Sequence, residues 1–252
     1  MGRSEANYRL DDRVVVVTGV SSGIGRWLAE GLDAAGARLV LTARRAELVE
    51  ELAGNLRDAL AVPGDIAVDA HRERIVAQAV ARFGRIDGVV NNAGVINYAR
   101  ALDETAEDVR RLLDVNVVGP FDLARRCVAH LRATGGGSIV NITSMSAIVA
   151  TGMTVPSAGY CASKAALAHM TREMAVQWGR YGIRVNAVAP GMYPTDMIDG
   201  QEEVPEFFAS RLAIARAGRP EDMIGAVQYL LSDASTYVTG QQFAVDGGRT
   251  VT

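Results

Sequence analysis

Seven short apolar runs recur along the chain, each followed by an amphipathic stretch long enough for a helix, and this alternation limits the fold more than any other feature. Residues 13–19, RVVVVTG, are β-branched and end in a glycine turn, as expected of a strand buried on both faces. Residues 24–35 then place Ile24, Leu28 and Leu32 on one helical stripe, which Gly36 can terminate. Further strands are predicted at 38–43, 60–62, 87–92, 138–143, 184–189 and 241–248. Helices are predicted at 45–60, 69–83, 105–115, 118–133, 158–180 and 220–232.

Strands that return through helices must pair in parallel, and right-handed crossovers place those helices on both faces of the sheet. The expected fold class is therefore α/β: a Rossmann-like, doubly wound, mainly parallel seven-stranded sheet in a single domain spanning 1–252. The only compositional shift is at 192–214, where Asp196, Asp199, Glu202, Glu203 and Glu206 precede the first arginine. This stretch is expected to cover the substrate pocket.

At 49% hydrophobic and 22% charged, with a mean hydropathy of +0.10, the composition is that of a soluble globular chain. A net charge of −3 and no long basic run argue against nucleic acid or an acidic membrane as partner. No segment approaches the roughly 18 apolar residues of a membrane span, and the polar first twelve residues do not resemble a secretory signal. A cytoplasmic location is expected. Cys127 and Cys161 form no CxxC pair and are expected to be reduced thiols. His71, His130 and His169 lack metal-ligand spacing, so no metal site is expected.

Residues 18–25, TGVSSGIG, join the first strand to the first helix. Gly19 suits the tight turn, Gly23 a close approach of backbone to a pyrophosphate, and Gly25 the packing of helix on sheet. Ser21, Ser22 and Ile24 complete this loop, whose free amides and positive dipole end favour an anion. The reading is a dinucleotide site. At the end of the second strand, an acid would bind the 2′-hydroxyl of NAD, but Ala43 stands there, followed by Arg44 and Arg45. A guanidinium can hold a 2′-phosphate bidentately, so NADP(H) is favoured, with NAD(H) possible. Asp65, beside Ile66, either accepts from an adenine amino group or caps a local turn. Asn91 and Asn92 either contact the cofactor or brace the sheet, and Ala93-Gly94 leaves room for a ligand.

Lys164 is the only lysine among 26 basic residues, and it follows Tyr160 by four positions. The two share a helical face. A free phenol titrates near 10, too high for an efficient base at neutral pH, and a neighbouring ammonium is expected to lower it. Tyr160 would then give a proton to a nascent alkoxide or take it from an alcohol. Ser144, directly after the strand at 138–143, would hydrogen-bond the substrate oxygen; Ser146 is the alternative serine.

Together, TG-x3-GIG, NNAG at 91–94, Asn116, Ser144, Tyr160-x3-Lys164, Pro190-Gly191 and the VDGG at 245–248 resemble the short-chain dehydrogenase/reductase family over essentially the whole chain. That resemblance implies an NAD(P)-dependent oxidoreductase interconverting an alcohol with a ketone or aldehyde. It implies that Lys164 also grips the nicotinamide ribose and that Asn116 positions a water for proton relay. Pro190, Gly191 and Thr195 would contact the nicotinamide end. A homotetramer or homodimer is implied, with the tyrosine-bearing helix and its neighbour at an interface. The substrate is a small molecule; 3-oxoacyl thioesters, sugars or polyols and other partly apolar carbonyls stay open. A non-catalytic dinucleotide sensor or scaffold is the alternative. The serine-to-tyrosine gap is longer than the family commonly shows, so 147–157 holds extra residues, expected at the substrate pocket.

Overall fold

The structure is a computed structural model that describes residues 7–151, 156–195 and 211–252. Most of the 192–214 stretch and part of 147–157 lie outside those residues.

Consecutive valines open the first strand, β1 (Val14–Thr18), and every residue of it is buried. The reason is the period of two along a strand. Val15 and Val17 enter a core shared with helices α1 (Gly23–Ala34), α2 (Ala46–Asn55) and α7 (Pro220–Leu231). Val14 and Val16 enter the opposite core, with α3 (Asp69–Phe83), α5 (Gly119–Ala133) and α6 (Ala158–Trp178). Each buried valine contributes roughly 1.5–3 kcal/mol, and a sheet clad on both faces uses all four.

The remaining strands are β2 (Arg38–Thr42), β3 (Ala59–Ala61), β4 (Gly88–Asn91), β5 (Gly137–Ile142), β6 (Ile183–Pro190) and β7 (Gln242–Val245). Their order is β3-β2-β1-β4-β5-β6-β7, and all six pairings are parallel. The expected doubly wound sheet is therefore observed. The chain reverses its direction of progress between β1 and β4, which opens a crevice at the carboxyl ends of those strands.

Three boundaries differ from expectation. The helix predicted to reach residue 60 stops at Asn55, because Ala59 pairs with Leu39 in the sheet. The last strand ends at Val245, where Gly247 and Gly248 turn with positive φ. Asn116 falls in the gap between the helices predicted at 105–115 and 118–133, where a break was expected. Instead α4 (Ala106–Leu113) passes through a π-helical turn, Asp114–Val118, into α5 with Asn116 at its centre.

Candidate functional site

One cavity of about 970 Å³ runs along the carboxyl edge of the sheet. Its walls come from the ends of β1, β2, β4, β5 and β6, the loop after β3, and the first turns of α6. Every residue predicted to touch the cofactor lines it: Gly19, Ser21, Ser22, Gly23, Ile24, Gly25, Arg44, Asp65, Ile66, Asn92, Ala93, Gly94, Tyr160, Lys164, Pro190, Gly191 and Thr195. Ser144 and Ser146 line it as well. Asn116 does not; it is fully buried behind the wall.

At the β1 end, close packing explains the glycines. A Cβ on Gly25 would stand 2.1 Å from the Gly19 carbonyl oxygen and 2.5 Å from Asn92 Nδ2. Helix α1 can therefore approach β1 only without a side chain there. The same Asn92 amide donates to the carbonyls of Thr18 (2.9 Å) and Gly19 (3.2 Å). Thr18 Oγ1, not anticipated from sequence, accepts from the backbone of Asn92 (3.0 Å) and Ala93 (2.9 Å). Ser22, the N-cap of α1, makes no side-chain cap. The first-turn amides of α1 thus carry no side-chain partner from this cap where the helix dipole is positive. This cradle fits the pyrophosphate of NAD(P).

Asn91 and Asn92 divide their duties. Asn91 donates to Asn141 Oδ1 (2.8 Å) and to Pro120 O (3.2 Å) inside the sheet, away from the cavity. It braces; Asn92 both braces and lines. Asp65 is partly committed, since its Oδ1 accepts from Ala67 N at 2.9 Å as the local turn reading required. Arg44 is exposed at the rim. Arg45 also lines the cavity, donating to Ser21 Oγ (3.0 Å) and Ser22 Oγ (2.7 Å). It joins the β2 end to the glycine loop, a contact that nothing local in the sequence announces.

At the other end, α6 starts at Ala158 and brings Tyr160 and Lys164 to the wall. The Ser144 hydroxyl accepts from Ser146 N (3.1 Å), capping a short 3-10 turn, and lies near the Tyr160 phenol. Burial pushes that phenol up to about 12, against a smaller downward pull from Ser144. The expected lowering by Lys164 is thus reversed. Lys164 Nζ lies 5.8 Å from the tyrosine ring centre and donates to Ile142 O at 2.9 Å. Burial pushes the ammonium itself down to about 8. Burial thus favours the protonated form of the tyrosine at neutral pH.

Asn116 reaches the site indirectly. Its side chain bonds the backbone of Val95, which lines the cavity, and donates to Ser163 Oγ (2.9 Å). Ser163 in turn donates to the carbonyl of Tyr160 (2.7 Å). With all its side-chain polar atoms engaged, this side chain is a clamp between the loop after β4 and the first turns of α6. Tyr98, Ile96, Met145, Thr151 and Met192 also line the cavity, on the loops that follow β4, β5 and β6. The loops carrying Ile96, Tyr98 and Met145 have no periodicity, which left those three positions unmarked; Thr151 and Met192 fall in 147–157 and 192–214, the two stretches expected at the substrate pocket.

Comparison with known proteins agrees with this geometry. A family model described as enoyl-(acyl carrier protein) reductase matches residues 19–250. Meso-2,3-butanediol dehydrogenase of Serratia marcescens is 35% identical, with 96% of each chain covered. Galactitol 2-dehydrogenase (L-tagatose-forming) of Cereibacter sphaeroides is 36% identical, with 97% of each covered. Among solved structures, a gluconate 5-dehydrogenase from Burkholderia cenocepacia, in complex with NADP and tartrate, superposes with a TM-score of 0.91 at 33% identity over 98% of each chain. A parallel sheet with its cleft at the switch point, matched end to end by these enzymes, makes this chain a member of the short-chain dehydrogenase/reductase family, an NAD(P)-dependent oxidoreductase acting on alcohol and carbonyl groups.

Proposed function

We propose that the enzyme interconverts a sugar- or polyol-type alcohol and its ketone, with NADP(H) preferred and Tyr160 as the general acid/base. The observation that carries this reading is that Ser144, Tyr160 and Lys164 line the same cavity that ends at the uncapped N-terminus of α1. Galactitol and butanediol dehydrogenases among the relatives support the substrate class.

Bound nicotinamide supplies or accepts the hydride. In reduction, Ser144 donates to the carbonyl oxygen while Tyr160, protonated because it is buried, gives that oxygen its proton. In oxidation Tyr160 must first lose its proton, and it then takes the hydroxyl proton of the alcohol. Lys164 is the compact cation beside it, 5.8 Å from the ring centre, and would hold the ribose hydroxyls of a bound cofactor. Asn116 holds the Val95 wall and the base of Tyr160 in register.

The NADP preference rests on Ala43 in place of an acid, with Arg44 and Arg45 both on the cavity rim. For assembly we propose a homotetramer or homodimer. In its support, the outward side of α6 carries Ala158, Ala162, Ala165 and Val176 alongside the exposed His169, Arg172, Glu173 and Gln177; Val176 is 81% exposed. Sedimentation of a monomer would refute it.

The deciding experiment measures NADPH and NADH turnover against ketoses, diketones and 3-oxoacyl thioesters for the wild type and Tyr160→Phe. Loss of turnover in the variant with cofactor binding kept is expected. Undiminished turnover would sink the mechanism, and binding without any turnover in the wild type would favour a sensor.

A further inference from the structure

The charges around the cavity are unevenly placed. Arg44, Arg45 and Asp65 stand at and beyond the β2 end. Tyr160 and Ser144 stand at β5, three strand positions away, roughly 14 Å at the usual spacing. On that side the wall is Ile96, Tyr98, Met145, Ser146, Thr151 and Met192, none of them ionic at neutral pH. The one cation there among the described residues, Lys164, is turned to Ile142 O. The internal segments outside the described residues, 152–155 and 196–210, contain no lysine, arginine or histidine. A carboxylate, sulfonate or phosphate on the substrate would therefore lose its water with no free counterion among the described residues of this wall to replace it.

The hydroxyls on this wall are not equivalent. Ser144 already accepts from Ser146 N. Tyr98 and Thr151 each have a partner. Ser146 lines the cavity two residues further along the same 3-10 turn, and its hydroxyl is not among the hydrogen bonds of the described residues. It offers one donor and two acceptor positions beside the reacting oxygen.

Building on the oxidoreductase reading of this site, we infer that its substrate is uncharged and carries a second hydroxyl next to the reacting carbon, and that Ser146 selects it by hydrogen-bonding that hydroxyl. A vicinal diol or a neutral polyol fits, and a sugar acid does not. Sites that hydrogen-bond a substrate hydroxyl discriminate strongly against analogues that lack it.

The test compares kcat/KM for meso-2,3-butanediol with 2-butanol and for galactitol with gluconate, using both NADP and NAD. Wild-type enzyme should prefer each neutral diol or polyol by roughly tenfold or more. Ser146→Ala should cut the diol-to-monoalcohol ratio by about tenfold, with NADPH binding confirming that the variant is folded. Ser146→Arg, which installs the missing counterion, should raise gluconate turnover relative to galactitol. An unchanged ratio in Ser146→Ala, or gluconate matching galactitol in the wild type, overturns the inference. Cofactor binding with no alcohol oxidised at all overturns the oxidoreductase reading itself, and the inference with it.

Discussion

Asn116 grips both backbone groups of Val95: Oδ1 accepts from its N–H and Nδ2 donates to its C=O, each at 2.9 Å. A residue in the π turn between α4 and α5 thus fixes the loop after β4, and through Ser163 it fixes the first turns of α6. In Asn116→Asp the acceptor survives but a carboxylate oxygen faces the Val95 carbonyl. Stability should fall by about 1–3 kcal/mol. The melting temperature should drop by roughly 2–4 °C for each kcal/mol. Calorimetry showing an unchanged melting temperature would break the clamp account.

Gly25→Ala tests the α1 cradle. With a Cβ 2.1 Å from the Gly19 carbonyl oxygen, α1 or the glycine loop has to move. Overpacking of this kind costs about 1–3 kcal/mol. Because the displaced amides are the ones offered to the pyrophosphate, NADPH affinity measured by fluorescence titration should weaken more than tenfold, by analogy with the loss of ~1.4 kcal/mol per decade. Wild-type affinity in a folded variant would count against the cradle.

The two reaction directions should respond differently to pH. Burial raises Tyr160 to about 12, so the proton-donating form dominates throughout the neutral range. Carbonyl reduction should be nearly flat from pH 6 to 8 with respect to this group. Alcohol oxidation needs the phenolate and should climb with pH, by about tenfold per unit where proton loss from Tyr160 limits the rate. Lys164, pushed down to about 8, loses charge as pH rises past that value, which blunts the climb. A pH–rate profile for oxidation that falls between 7 and 9 would contradict the assignment.

Cofactor choice should turn on the end of β2. Ala43→Asp places a carboxylate on the cavity wall beside Arg44. It should repel a 2′-phosphate and accept from a 2′-hydroxyl, moving the NADP-to-NAD ratio of kcat/KM toward NAD by roughly tenfold or more. Arg45→Ala should weaken NADP more than NAD, because it frees Ser21 and Ser22 and removes a guanidinium from the rim. Equal kcat/KM for the two cofactors in the wild type would show that neither arginine reads the phosphate.

Much of the site was legible because the parallel sheet brings strand ends together. TGVSSGIG, the NNAG at 91–94, Ser144 and Pro190-Gly191 each follow a recognisable strand, and all reach one cavity. Tyr160 and Lys164 were legible from helical spacing alone. Arg45 meeting Ser21 was not, for the two are 24 residues apart and no spacing pattern links them. The overlong α2 has a similar cause: residues 56–60 suit a helix locally, but pairing with β2 recruits Ala59 into a strand.

Periodicity and glycine placement belong to neighbouring residues, so the chain by itself determined the alternation of strands and helices, the cradle and the tyrosine–lysine pair. Which groups end up dry depends on segments remote in sequence. Only packing decided that Lys164 turns to Ile142, that Tyr160 is held protonated, and that Asn116 serves as a clamp. Desolvation and long-range hydrogen bonds arise when α6, β5 and the π turn close on one another, and no stretch of sequence contains all three.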